Sequence, residues 1–365
     1  LINMALSADI VAFAGTNTKF YEQFCDYHYH ASDIMNGQKL GAYDNNVALS
    51  EKKEKVTESF FAEIERLSNC SRSENRDAWM ANPMVRWATL AVVNAVVNAV
   101  LPAYVNASLA PFVDFQTLGY GDIMKVKVQP RTLFTVSLGG HGERTTHRQK
   151  EYAGDVIVTP IEHIVTVYVD MFRVLAGKDD LSEAVRKVVL SIEIAMQKDA
   201  VAALTAGLGA VTYPAAFIKT GAFTSANLIN LGQVVQAYNN GAKPVVLGTA
   251  AALANVLPDS TAGFRMTIPG ADGSVRIMKD FYGFELIELP QMPTGVNFGL
   301  ALNDNVLYVV SPAVDKVVKG CMSSALNNSN QFYDNADITQ NFTMRKDWDF
   351  AFVGGAYAGM YTITA

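Results

Sequence analysis

Histidines are the side chains of this sequence that are best suited to bind a metal ion. His28 and His30 are two residues apart, and on a strand both imidazoles would lie on one face. No third ligand lies near them in the sequence, whereas a zinc site uses three or four protein ligands. We therefore predict no metal site.

Cysteines and catalytic motifs provide no active site either. The three cysteines, Cys25, Cys70 and Cys321, lie far apart without CxxC spacing, which argues against a disulfide scaffold and a cysteine zinc site. Cys321 follows a predicted strand-to-helix region without an oxyanion signature, so we interpret it as a small buried hydrophobe. Walker, dinucleotide-binding, GxSxG and HExxH motifs are absent from the sequence. We predict no catalytic residue and no cofactor.

Basic residues concentrate in one segment instead. Residues 120–150 contain six of them against two acidic residues, a net charge of +4, while the whole chain carries −6. Surfaces of opposite sign steer identical copies together. Basic side chains also protect hairpin edges from aggregation, and the sequence leaves both interpretations open. The six residues are Lys125, Lys127, Arg131, Arg144, Arg148 and Lys150.

The composition excludes several classes of protein. Of the 365 residues, 50% are hydrophobic and 18% are charged, which is typical of a folded globular chain and excludes a disordered one. The negative net charge opposes a main role in coating DNA. We expect no signal peptide, and the apolar run at 87–101 is shorter than the ~20 residues of a membrane span. The low charge density indicates that part of the surface is buried against other chains.

The elements that position the basic residues form a long two-stranded excursion over residues 120–169. Ile123–Val128 alternates, with Lys125 and Lys127 on one face and apolar residues on the other, Ile123 excepted. A second stretch of strand character at 134–138 leads to a glycine-rich tip that contains His141. The chain returns through residues 155–169, which are rich in Val, Ile and Thr.

The helices are predicted from apolar spacing. Residues 1–50 show no sustained periodicity and are interpreted as an extended arm that packs on something else. A helix starts with Ser50 as its N-cap and ends near Asn69, and a second runs from Asp77 to Leu101. Leu181–Leu204, stopped by Gly207 and Gly209, would span more than ~30 Å and form a structural spine.

Strands and helices alternate from about Tyr213 onward. Thr224–Asn239 is amphipathic, Lys243–Gly248 is a short buried strand, and Thr249 caps a helix that Pro258 ends. Further strands are predicted, two pairs of them as hairpins, at 274–278 with 284–289, 298–302 with 306–310, and at 341–345 and 348–363.

This order of parts resembles the major capsid protein of tailed bacteriophages of the Hong Kong 97 type. The stretches that carry the resemblance are Gly121–Val128, Asp179–Arg186, Lys243–Thr249 and Asn303–Pro312, and it covers roughly residues 110–365. It implies an α+β capsid fold with an N-terminal arm, an E-loop, a peripheral domain with the spine helix, and an axial domain. The implied boundaries are 1–119 for the arm and its helices, 120–168 for the E-loop, 169–212 with 326–365 for the peripheral domain, and 213–325 for the axial domain.

The resemblance implies function by assembly. Copies of the chain would form hexamers and pentamers of an icosahedral head, assembled in the bacterial cytoplasm around double-stranded DNA held by non-specific contacts. Portal, scaffold or decoration proteins would be further partners, and no membrane is involved. Contacts between subunits are expected at the basic residues above and at His141. Two alternatives stay open: an encapsulin shell of the same fold, and a soluble α/β enzyme.

Overall fold

The computed structural model describes most of the chain, namely residues 18–36, 41–72, 79, 82–85, 87–89, 91–93, 95–96, 109, 111–119, 121–128, 154–169, 181–210, 213–256, 279–293, 298–323 and 340–364. Helices and strands alternate unevenly along these residues, which confirms the α+β class. No helix in this part of the chain is long and apolar enough to cross a membrane.

Within the described residues, the strands form three sheets. The first has four strands in the order β1-β10-β11-β4, the second has six in the order β5-β12-β9-β6-β8-β7, and the third is the hairpin β2-β3. The strands are β1 (Val113–Leu118), β2 (Met124–Val128), β3 (Gly154–Val158), β4 (Ile161–Val169), β5 (Ile218–Gly221), β6 (Val245–Gly248), β7 (Asp280–Phe281), β8 (Phe284–Glu288), β9 (Val306–Val310), β10 (Val318–Ser323), β11 (Gln340–Phe352) and β12 (Gly359–Ile363).

The main α-helices of the described residues are α1 (Thr18–Asn36), α2 (Leu49–Ser68), α3 (Leu181–Leu208), α4 (Ser225–Tyr238) and α5 (Ala250–Ala254). The described residues between 83 and 96 are also helical. We call α3 the spine helix. It starts at the predicted residue and ends four residues later than predicted, because Gly207 does not stop it. Gly207 instead lets the ring of Phe352 pack closely on the helix.

The N-terminal segment departs most from the prediction. Residues 18–36 form a helix, and its aromatic side chains lie in the main core of the same chain. Phe20, Phe24 and Tyr27 are almost completely buried there with the apolar face of α2. The expectation of an extended arm whose apolar residues need another chain is therefore wrong for this helix.

Helix ends follow local capping rules in most cases. Asn69, in the left-handed region with φ of 53°, ends α2 where predicted. Thr249 caps α5 as predicted, and Thr224 caps α4, each hydroxyl oxygen accepting a backbone N–H three residues on. Ser50 is not an N-cap, because α2 begins one residue earlier, after Ala48, which provides no side-chain cap.

The two larger core clusters of the described residues are separated by the six-stranded sheet. Leu247 and Tyr308 face the first cluster, which also contains α1, α2 and the spine helix. Val246, Leu307 and Val309 face the second cluster, beside α4 and α5. Both faces of β6 and β9 are therefore buried, which explains their continuous apolar sequences.

The C-terminal strands cross between the two large sheets. β10 lies in the four-stranded sheet, although the predicted boundaries assign it to the axial segment at 213–325. β12 lies in the six-stranded sheet, although the predicted boundaries assign residues 326–365 to the peripheral domain. β11 is one continuous strand and has no break between 345 and 348.

Two predicted hairpins in the six-stranded sheet differ in their outcome. β7 and β8 pair across a tight turn at Tyr282 and Gly283, while the predicted first strand at 274–278 lies outside the described residues. Residues 298–302 do not form a strand; the one bridge joins Leu300 to Pro293. Phe298 has φ of 52°, which a strand does not allow.

Candidate self-association surface

The basic segment begins with a regular antiparallel hairpin. β2 pairs with β3 in a register that places Lys125 opposite Ile157 and Lys127 opposite Asp155. A tight turn precedes it, in which the N–H of Asp122 donates to the carbonyl of Gly119. The predicted alternation of β2 is confirmed, with the strand starting at Met124 instead of Ile123.

The outer face of the hairpin is cationic and apolar at once. Lys125, Lys127 and Asp155 are exposed. Ile157 is 56% exposed and Ile123 is 44% exposed, so two large apolar side chains lie in water on this face. Large exposed apolar side chains grouped on one face indicate an interaction surface.

The inner face fastens the hairpin to the four-stranded sheet. Met124 and Val158 pack with Cys321 of β10, and Ala351 of β11 lies against the same cluster. The thiol of Cys321 faces the carbonyl of Val158 at 3.9 Å. Burial raises the pKa of Cys321 to about 11, so the side chain stays a neutral thiol. Its interpretation as a small buried hydrophobe is confirmed, although it lies within a strand.

The return strand of the excursion is not part of the hairpin. β3 ends at Val158, and β4 pairs with β11 along nine residues at the edge of the four-stranded sheet. The ring of His163 stacks on that of Trp348 at 3.7 Å, and the indole N–H donates to Asp199 of the spine helix at 2.9 Å. The base of the excursion is thus held to the spine helix.

The structure brings together two of the predicted contact residues, Lys125 and Lys127, on the outer face. The other five lie outside the described residues: Arg131, His141, Arg144, Arg148 and Lys150.

An acidic surface that was not predicted from the sequence lies on α2. Glu51, Glu54 and Glu58 are exposed on its outward side. Glu51 forms an ion pair with Lys55 at 2.7 Å. The signal was available in the sequence, since glutamates three and four residues apart share a helix face.

His28 and His30 lie on helix α1 and not on a strand, so their side chains do not share a face. His28 Nε2 lies 3.1 Å from Oε1 of Glu193 in the spine helix, and His30 stacks on Tyr43. Within the described residues, no group of three or more His, Cys, Asp or Glu side chains could hold a metal ion.

Comparison with known proteins gives one family match. Residues 39–263 match the family model described as "SPbeta prophage-derived putative capsid protein YonB", which includes both α2 and the hairpin. No curated protein matches the chain.

Several solved structures are similar to this chain at low identity. The mature capsid of bacteriophage PhiM1 has a TM-score of 0.47 and 11% identity over 70% of this chain and 86% of its own. The capsid of an empty GTA particle has a TM-score of 0.46 and 12% identity, over 71% and 90%. A virus-like particle from Pyrococcus furiosus has a TM-score of 0.43 and 10% identity, over 83% and 98%.

Proposed function

Because this chain belongs to the SPbeta prophage-derived capsid protein family, we propose that it is the shell-forming subunit of a phage head, assembling into hexamers and pentamers around double-stranded DNA. The family match over residues 39–263 is the observation that carries this proposal. Membership of a capsid family confirms a structural, non-enzymatic protein of the virion, so the soluble enzyme is excluded.

In this proposal, the hairpin is the part of each subunit that extends to contact a neighbouring subunit. It is attached through its inner face to the four-stranded sheet, and its outer face offers two lysines and two exposed isoleucines. We assign it as the E-loop, the four-stranded sheet and spine helix as the peripheral domain, and the six-stranded sheet as the axial domain. Each subunit then contacts its neighbours through surfaces that differ from each other, which is how rings and closed shells form.

DNA and protein partners follow from the same proposal. A chain of net charge −6 suits loose, non-specific contact with packaged DNA, because tight coating requires a strongly basic surface. Assembly would take place in the host cytoplasm, with portal, scaffold or decoration proteins as further partners. Arg131, His141, Arg144, Arg148 and Lys150 are proposed to extend the contact surface of Lys125 and Lys127.

Electron microscopy of the purified full chain tests the proposal. We expect closed shells, or sheets of hexamers, in negative stain and a large species in size-exclusion chromatography. A stable monomer of 39.6 kDa at all concentrations would contradict it. Particles recovered from lysed host cells should hold nuclease-protected double-stranded DNA; shells that hold a protein cargo instead would indicate an encapsulin.

A further inference from the structure

Lys125 and Lys127 have no ionic partner among the residues that the structure describes. Both are exposed on the outer face of the hairpin, and neither forms an ion pair with any residue that the structure describes. Asp155 is the cross-strand neighbour of Lys127, yet the two side chains do not form an ion pair. The Cα atoms of the two lysines, two residues apart on one strand, lie about 7 Å from each other.

Glu54 and Glu58 on α2 are exposed acidic residues of the opposite charge. Both are exposed, and neither forms an ion pair with any residue in the described part of the chain. Four residues of helix separate them by about 6 Å along the axis, which is close to the spacing of the two lysines. Ala62 is also exposed and lies one helical turn after Glu58 on the same face of α2.

The two surfaces belong to different parts of the subunit. The hairpin packs on β10 and β11 through its inner face, whereas α2 packs on α1 and on the spine helix. Each copy therefore presents one cationic and one anionic surface, and the cationic one also carries exposed apolar side chains. The cationic surface of one copy is therefore complementary to the anionic surface of another. A contact between two different surfaces is heterologous, so each added copy leaves a free surface for the next one.

We propose that the outer face of the hairpin docks on the outward face of α2 in a second copy of this chain, with Lys125 and Lys127 paired to Glu54 and Glu58. Ile157 then lies toward Ala62 of the neighbour and loses its exposure to water. This inference rests on the proposed function and adds the receptor for the hairpin, which the family match does not identify.

Charge reversal and charge exchange test the pairing. The variants are K125E/K127E, E54K/E58K and the quadruple variant that combines them. The control, K243E/K279E, reverses two exposed lysines of the six-stranded sheet region and so makes the same change in net charge as the lysine reversal. Assembly is followed by light scattering and negative-stain microscopy at low salt, and the fold of each variant by circular dichroism and thermal melting.

The expected result is a fall of roughly tenfold or more in assembled protein for each double reversal, because like charges meet at every copy of the contact. The quadruple variant should recover most of the assembly, and the control should assemble like the wild type. If K125E/K127E blocks assembly and the quadruple variant does not restore it, the receptor is not α2, while the proposed function stands. Normal assembly of either double reversal, or failure of the control, also overturns the pairing. Wild-type protein that never assembles overturns the proposed function and the pairing with it.

A disulfide between copies gives a second readout that does not require the charge variants to fold. K127C/E58C in a C70S background should form a reducible ladder of oligomers under mild oxidation. Cys25 and Cys321 are buried and do not interfere. Each single cysteine variant should stay free of the ladder, and a ladder that is equally strong in the singles would count against the pairing.

Discussion

His28 of α1 and Glu193 of the spine helix form a pair that is completely shielded from water, with Nε2 of the imidazole 3.1 Å from Oε1 of the carboxylate. Their remaining polar atoms, Nδ1 and Oε2, have no hydrogen-bond partner among the described residues. A buried pair of this kind depends strongly on both members, since removal of one leaves the other in an apolar environment.

Comparison of a single and a double variant should reveal this dependence. His28→Leu leaves the Glu193 carboxylate without its partner and should lower the free energy of unfolding by about 3–5 kcal/mol. The variant H28L/E193L removes both polar groups and should be much closer to wild type. Urea unfolding of the monomer at pH 7 measures the free energy of unfolding of both variants. A double variant that is destabilised as much as His28→Leu, or more, would contradict this account.

Helix α1 should be ordered before any assembly takes place. Its aromatic side chains pack inside their own subunit, and the hydroxyl of Tyr27 donates to Glu183 of the spine helix at 3.0 Å. We therefore expect hydrogen exchange of the amides between residues 20 and 34 to be slow in dilute monomer. Fast exchange in the monomer with protection only in assembled particles would show that the helix needs a neighbour.

Gly207 should not tolerate a side chain. A Cβ at this position would overlap the ring of Phe352 in β11. Gly207→Ala should destabilise the subunit by about 1–3 kcal/mol, although alanine favours a helix. The matched control is Gly354→Ala, where the added Cβ meets nothing within 4 Å. Thermal melting compares the two; equal effects would show that close packing at Gly207 is not the cause.

Lys346 should make stability rise with pH in the alkaline range. Burial lowers its pKa from 10.5 to about 8, and its ammonium donates to the carbonyl of Ser323 at 2.7 Å. Between these two values the unfolded chain binds a proton that the folded chain does not, so the contribution of this group to stability increases as pH rises.

The matched variant is Lys346→Met, which cannot titrate. Relative to it, the wild type should gain up to about 3 kcal/mol in its free energy of unfolding between pH 8 and pH 10.5. Unfolding curves at several pH values in this range test the difference. A difference between the two proteins that does not change with pH would contradict the proposed burial of the charge.

Local patterns predicted much of the local structure. The alternation of Met124–Val128 predicted the strand and its exposed face, because side chains on a strand point to opposite sides in turn. The apolar face of the spine helix predicted its position. In α1, Phe20, Phe24 and Tyr27 have helical spacing, but polar residues between them obscured it. The buried polar residue His28 of α1 is accommodated by Glu193, 165 positions away, which local spacing does not reveal.

Local sequence patterns also did not predict which sheet each strand joins, because the residues that pair with a strand are distant in the sequence. β10 contains Lys319 and Gly320 and shows no apolar alternation, yet all six of its residues are buried. Lys319 is accommodated because Asp114 and Asp315 pair with its ammonium, and Asp114 lies on β1, 205 positions away. The candidate receptor on α2 was missed because its glutamates have the pattern of an ordinary solvated helix face.

The position of β12 has a consequence for the synthesis of the subunit. β5 pairs with β12, with Ile218 opposite Met360. During translation, β5 therefore cannot form its strand pairing until the much later segment that contains β12 has been synthesised. Until then the six-stranded sheet has a gap where Tyr361 should fill the core. A chain still on the ribosome therefore differs in shape from a finished one. A growing shell that selects by shape would admit finished subunits and leave partial chains to proteolysis.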